Sequence, residues 1–125
     1  MAMPGSVLVV DDEPNIVESL RFLMSEAGCD VRVARDGDQA IAAVEASKPD
    51  LILLDVMIPK RDGYDVCQAI RQNPAWSDIH IIMLTAKGRE SEREKGIELG
   101  ADEYITKPFS TRALVERVRI YFDGK

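Results

Sequence analysis

The chain is poor in the residues that announce a chemistry by themselves. Its 125 residues include two cysteines, Cys29 and Cys67, one histidine, His80, and one tryptophan, Trp76. Two cysteines without CxxC spacing or a nearby histidine cluster argue against a zinc site or a disulfide framework. They are expected as reduced, partly buried thiols of a cytoplasmic protein. A single histidine in an apolar stretch reads as a packed or surface residue, not as a ligand or base, and Trp76 reads as loop packing. No apolar run approaches membrane-spanning length and no charged-then-apolar segment precedes residue 6, so neither a membrane span nor a secretory signal is expected. Neither GxGxxG nor GK followed by Ser or Thr occurs, which removes the common glycine-rich phosphate loops. Positive charge is scarce as well: 16 Lys and Arg stand against 22 Asp and Glu, a net charge of -6 that speaks against direct nucleic-acid binding by this chain.

What is present is an alternation of short apolar runs with amphipathic segments. SVLVV (6–10), LILL (51–54) and IHIIML (79–84) are apolar runs, DVRVA (30–34) alternates with one polar face, and DEYIT (102–106) is short. All five predict strands, and the fully apolar LILL predicts a central position in a parallel sheet. EPNIVESLRFLMSEAG (13–28) spaces Ile16, Leu20, Leu23, Met24 and Ala27 at helical intervals, with Pro14 suited to the first turn and Gly28 to the end. GDQAIAAVEAS (37–47) turns Ala40, Ile41 and Val44 inward and stops before Pro49. YDVCQAIRQ (64–72) and GRESEREKGIEL (88–99) are further helices, the second closed by Gly100 and carrying the mixed charges of a solvated face. STRALVERVRIYF (110–122) is capped by Ser110 and turns Leu114, Val115 and Val118 inward. Strands and helices in strict alternation imply a single α/β domain, a doubly wound parallel sheet with helices on both faces. The domain is expected over 6–125, after a flexible tail at 1–5.

In such sheets ligands bind outside the carboxyl ends of the strands. The first strand runs into Asp11, Asp12 and Glu13, the third into Asp55, the fourth into Thr85 and the fifth into Lys107. Adjacent carboxylates repel and are costly to hold together without a cation. Asp11, Asp12 and Asp55 bring three negative charges and Lys107 returns one positive charge, so a divalent ion would neutralise the cluster. Ligands that are all oxygen point to Mg²⁺, with Mn²⁺ as an alternative. Asp12 or Glu13 could also serve only the positive end of a helix. That reading weakens once Asp55, Thr85 and Lys107 stand at strand ends too.

Taken together, VLVVDDEPN, LILLDVMIPKRDGYDV, IIMLTAKG and GADEYITKPFS resemble the response-regulator receiver domain of bacterial two-component systems, over residues 6 to 122. The resemblance implies a CheY-like, flavodoxin-like sheet of five parallel strands in the order 2-1-3-4-5 with five helices. It implies a phosphorelay switch, not a turnover enzyme, in which Asp55 accepts a phosphoryl group from a sensor histidine kinase or a histidine phosphotransfer protein. It further implies that Asp12, Asp55 and the backbone carbonyl of Met57 bind Mg²⁺, with Asp11 assisting directly or through water. Thr85 and Lys107 would contact the phosphoryl group, and Tyr104 would be the aromatic whose rotamer follows Thr85. The Lys107–Pro108 peptide would be cis, and Met57 and Lys87 would tune phosphoryl lifetime. Output would run through residues 88–122 to a downstream effector or output domain, without a membrane.

One departure bears on assembly. Receiver domains attached to winged-helix DNA-binding domains usually carry an acid before the leucine of the last helix, and here Ala113 precedes Leu114. Arg112, Arg117, Glu98 and Asp102 remain for salt bridges, so dimerisation on phosphorylation stays open. Two other function classes compete. An aspartyl phosphatase of the DxDx type needs a second acid two residues on, where this chain has Met57, which cannot transfer a proton. A pure interaction module would have no use for the acid pair, Asp55 and Lys107.

Overall fold

Val7 to Val10, Leu51 to Leu54 and Ile81 to Leu84 have no exposed surface, as expected of strands covered on both faces. The computed structural model describes residues 5–86, 90–107 and 109–124. Strands β1 (Ser6–Val10), β2 (Asp30–Ala34), β3 (Leu51–Asp55), β4 (His80–Ala86) and β5 (Glu103–Lys107) form one parallel sheet in the order β2-β1-β3-β4-β5. Helices α1 (Pro14–Glu26), α2 (Gly37–Ala46), α3 (Gly63–Arg71), α4 (Glu90–Glu98) and α5 (Thr111–Asp123) follow the strands in turn. No helix among the described residues is long and apolar enough to cross a membrane.

Strand side chains alternate between faces, and two cores result. Val7, Val9, Leu51, Leu53, Ile82 and Leu84 pack with Leu20 and Met24 of α1 and Leu114, Val118 and Phe122 of α5. Leu8, Val10, Ile52, Leu54, Ile81 and Met83 pack with Ala40 and Val44 of α2 and Val66, Cys67 and Ile70 of α3. Local signals fix the helix ends. Side chains of Glu13, Asp36, Asp62 and Ser110 accept the amides of Asn15, Gln39, Asp65 and Ala113, which caps α1, α2, α3 and α5. Gly28 (φ 98°) and Gly100 (φ 110°) take the left-handed conformation that lets the chain leave α1 and α4.

Several expectations shift. The most buried face of α1 is Val17, Leu20 and Met24, whereas Ile16, Leu23 and Ala27 are only partly covered; the helix is rotated so that Val17 is buried. Phe122 joins the core at the end of α5. The polar face of β2 is not a solvent face: Arg32 donates to the carbonyls of Ala43 (2.8 Å) and Ser47, at the end of α2. Trp76 lies in a short 3₁₀ turn, Pro74–Trp76, against the α2/α3 core. His80 is packed as expected, its Nε2 2.7 Å from Glu103 and its ring stacked on Tyr121 at 4.2 Å. Gly5, placed in the tail by its sequence, accepts the Asp30 amide at 3.0 Å; residues 1–4 lie outside the described residues. Lys87 and Pro108 also lie outside them, and with them the expected cis peptide.

Both cysteines are buried, and burial raises both thiol pKa values, that of Cys67 to about 11. Only the thiolate attacks alkylating agents. In native protein at pH 8, Cys67 should therefore react with iodoacetamide at least a hundredfold more slowly than in urea. Mass spectrometry against time checks this, and equal rates would contradict the packing of α3.

Candidate functional site

Because the strands are parallel, their carboxyl ends reach one edge together. Val10 pairs with Leu54, Asp55 with Leu84, and Ala86 with Lys107. Asp11 prolongs β1 by one step, its amide donating to the Ala34 carbonyl at 3.1 Å. Alternation puts Asp55 on the side of Leu51 and Leu53, and Lys107 on the side of Ile105, both the face covered by α1 and α5. Thr85 falls in the opposite set, with Ile81 and Met83.

The result is a buried charge cluster. Asp11 is fully buried and Asp55 is 5% exposed, while Asp12 is open to solvent. Lys107 Nζ lies 3.2 Å from Asp11 Oδ2 and 3.2 Å from Asp55 Oδ2, so one ammonium serves two carboxylates. The remaining oxygens meet backbone amides. Asp11 Oδ1 accepts from Glu13 N at 2.9 Å, and Asp55 Oδ1 accepts from Met57 N at 3.3 Å. Burial raises the Asp55 pKa, as does the charge of Asp11; Lys107 and the Met57 amide oppose that rise. Burial acts to lower the Lys107 pKa, but Asp55 and Asp11 outweigh it and the ammonium is held above its ordinary value.

One carboxylate oxygen from each of Asp11, Asp12 and Asp55 lies within 4.8 Å of the others. With Lys107 counted, the four ionised side chains still carry two excess negative charges. Hard oxygen donors, this net charge and a solvent-open side at Asp12 fit a small divalent ion that keeps part of its water. The cluster thus gathers Asp11, Asp12, Asp55 and Lys107, all expected from the strand ends. Lys107 bridges Asp11 as closely as Asp55. Thr85 is buried at the end of β4 (1% exposed), next to Leu84, the partner of Asp55. Tyr104 sits opposite Met83, half-buried against the α2/α3 core, on the same sheet face as Thr85. Met57 turns its side chain to solvent, 71% exposed, while its amide serves Asp55.

The two amide donors and Gly63, the glycine behind Asp55, were not legible in the strand-end pattern. A Cβ on Gly63 would stand 2.5 Å from the carbonyl oxygen of Asp55 and 2.8 Å from Cα of Val56, so only glycine lets α3 start this close to β3. Backbone donors leave no mark in a sequence; the Gly of KRDG was the available signal.

A family model described as the response regulator receiver domain matches residues 7–119. The chain belongs to this family. Solved structures agree. A protein of Chloroflexus aurantiacus J-10-fl described as a response regulator is 38% identical with a TM-score of 0.89, over 96% of this chain and 98% of that one. NtrX from Brucella abortus is 28% identical with a TM-score of 0.86, over 99% of this chain but 27% of that one. The Mn(2+)-bound form of the response regulator Rcp1 is 28% identical with a TM-score of 0.80, over 93% of this chain and 90% of that one. The receiver domain is thus a module of two-component signalling, with the CheY-like strand order that its sequence resemblance implies.

Lys107 is the one ammonium that meets both buried acids of this receiver domain among the described residues. Replacing Lys107 by Met should lower unfolding free energy by about 2 kcal/mol at pH 7, less than the 3–5 kcal/mol of a fully buried pair because Lys107 is partly exposed. Adding Asp11→Asn should recover part of the loss by removing the unneutralised charge. Urea titrations of the two variants check both signs.

Proposed function

We propose that this receiver domain is a phosphorylation switch in a phosphorelay, with Asp55 accepting a phosphoryl group from the phosphohistidine of a sensor histidine kinase or histidine phosphotransfer protein. The observation that carries the reading is the setting of Asp55. It is a nearly buried carboxylate, held between Lys107 and the Met57 amide, with the acids Asp11 and Asp12 beside it. In the transfer an Asp55 oxygen forms the new P–O bond. The P–N bond to the donor imidazole breaks, and its electron pair stays on nitrogen, which takes up a proton.

The chain's own groups supply position and charge. The Met57 amide orients the carboxylate through Oδ1, and burial strips it of water. Asp12, Asp55 and the Met57 carbonyl, with Asp11 directly or through water, would hold Mg²⁺, or Mn²⁺ as in the bound form of Rcp1. That ion would screen repulsion between carboxylates and phosphoryl group and stabilise charge on the transferring oxygens. Lys107 neutralises Asp55 before transfer and remains within reach of the new phosphoryl oxygens.

Phosphorylation changes Asp55 from one negative charge to roughly two. Thr85 and Lys107 can then donate to the added oxygens, and such contacts, made in only one state, bias the equilibrium between two arrangements. Tyr104 lies on the Thr85 face of the sheet and would carry the change towards α4 and α5, the surface for an effector or output domain. NtrX, of which this chain matches about a quarter, illustrates a receiver-like fold within a longer chain. The phosphatase alternative lacks support, since Met57 holds the position where that chemistry needs an acid.

Acetyl phosphate with Mg²⁺ should add one phosphoryl group by intact mass, and Asp55→Asn should add none, an amide being a far poorer nucleophile. Thr85→Ala should still be labelled. A charge-assisted hydrogen bond is worth about 1.5–3 kcal/mol, so its loss should shift the two-state equilibrium roughly tenfold. The amide shifts of Tyr104 and residues 93–99 on phosphorylation should shrink accordingly. Full labelling of Asp55→Asn would overturn the acceptor, and a full shift in Thr85→Ala would overturn the switch.

A further inference from the structure

The segment from Val56 to Asp62, between Asp55 and α3, carries Met57 and therefore sets where the Met57 amide meets Asp55. It is closed on itself by Gly63 N donating to the Val56 carbonyl at 2.9 Å, and anchored by Val56 and Ile58, both buried. Lys60 sits at φ 73°, in the left-handed region that side chains avoid, and sends Arg61 back over α2.

Three contacts tie this loop to the first turn of α2. The Gly37 amide donates to the Pro59 carbonyl at 3.1 Å. Arg61 Nε lies 3.2 Å from Asp38 Oδ1. A Cβ on Gly37 would stand 2.3 Å from the carbonyl oxygen and 2.4 Å from Cβ of Arg61. Gly37 does not have the positive φ of Gly28 and Gly100, so close approach, and not backbone conformation, demands glycine here. The atom in the way is backbone, which cannot swing aside as a side-chain tip can.

We infer that Gly37 is a positioning residue for the reaction at Asp55: the first turn of α2 is the wall that sets the acceptor loop, and with it the Met57 peptide. The inference rests on the proposed acceptor role of Asp55 but reaches residues outside the charge cluster. Any side chain at position 37 displaces Arg61 backbone, and the displacement passes along a loop pinned at its far end by Gly63. Arg61 and Asp38 are both half-exposed, so their pair contributes direction to the loop more than stability.

The test compares Gly37→Ala with Val44→Ala, a buried residue of the same helix, two turns further along and within the α2/α3 core. Three readouts are taken on the whole domain: the Met57 amide cross-peak without metal, Mn²⁺ affinity by calorimetry, and the half-life of the phosphoryl group. Gly37→Ala should move the Met57 peak and change affinity and half-life at least threefold. Val44→Ala should lose comparable stability with both values within twofold of the parent. If Gly37→Ala does not fold, Asp38→Arg serves instead. It sets like charges together, should change the same readouts at least twofold, and should be restored by Asp38→Arg/Arg61→Asp. A folded Gly37→Ala with unmoved readouts overturns the inference, and so does an unfolded one together with an unmoved Asp38→Arg. A parent that accepts no phosphate overturns the acceptor role instead, and leaves the Met57 peak and Mn²⁺ affinity to decide the role of Gly37.

Discussion

One ammonium group makes the acidic edge of this domain tenable. Asp11 and Asp55 are both taken out of water and lie close enough to repel. Either alone would carry a desolvation cost, and the two together add Coulomb repulsion in a medium that screens poorly. Lys107, 3.2 Å from each, offsets part of both costs, and the amides of Glu13 and Met57 take up the outward lone pairs. The balance is deliberately incomplete in the electrostatic sense: excess negative charge remains, and it faces the solvent at Asp12. A site built this way offers carboxylate oxygens to a cation.

That ammonium stands where it does because the sheet is parallel and its middle strands are buried on both faces. Apolar alternation pins the register, since a one-residue slip would exchange the two cores. Fixing Leu54 beside Val10 and Leu84 beside Asp55 leaves the terminal polar residues no choice but a common edge. The two cores also divide the work. The α1/α5 face holds the side of the sheet from which Asp55 and Lys107 emerge, and the opposite face holds Thr85 and Tyr104. β4 thus carries Leu84, the partner of Asp55, on one face and Thr85 on the other.

The segment after Asp55 adds a different kind of precision. It is placed by close backbone contacts at Gly37 and Gly63, with its shape held by a left-handed Lys60. Packed backbone has few alternative positions, so the Met57 amide that meets Asp55 is defined more sharply than a surface loop of ordinary composition would allow.

The sequence alone determined the alternation of strands and helices, the two-sided burial of β3, the cap at Ser110, and the polar residues at four strand ends. Each depends on local periodicity or on one residue's chemistry, which neighbours in sequence are enough to specify. The strand order came from resemblance, since the pattern βαβ is the same for several orders. Tertiary structure decided the rest. It rotated α1 to bury Val17, turned Arg32 onto the end of α2, and set Lys107 between two carboxylates. It also decided which acid is buried and which is open: Asp11 and Asp12 are identical in kind and adjacent in sequence, and only strand alternation at the sheet edge sends one inward and the other to water.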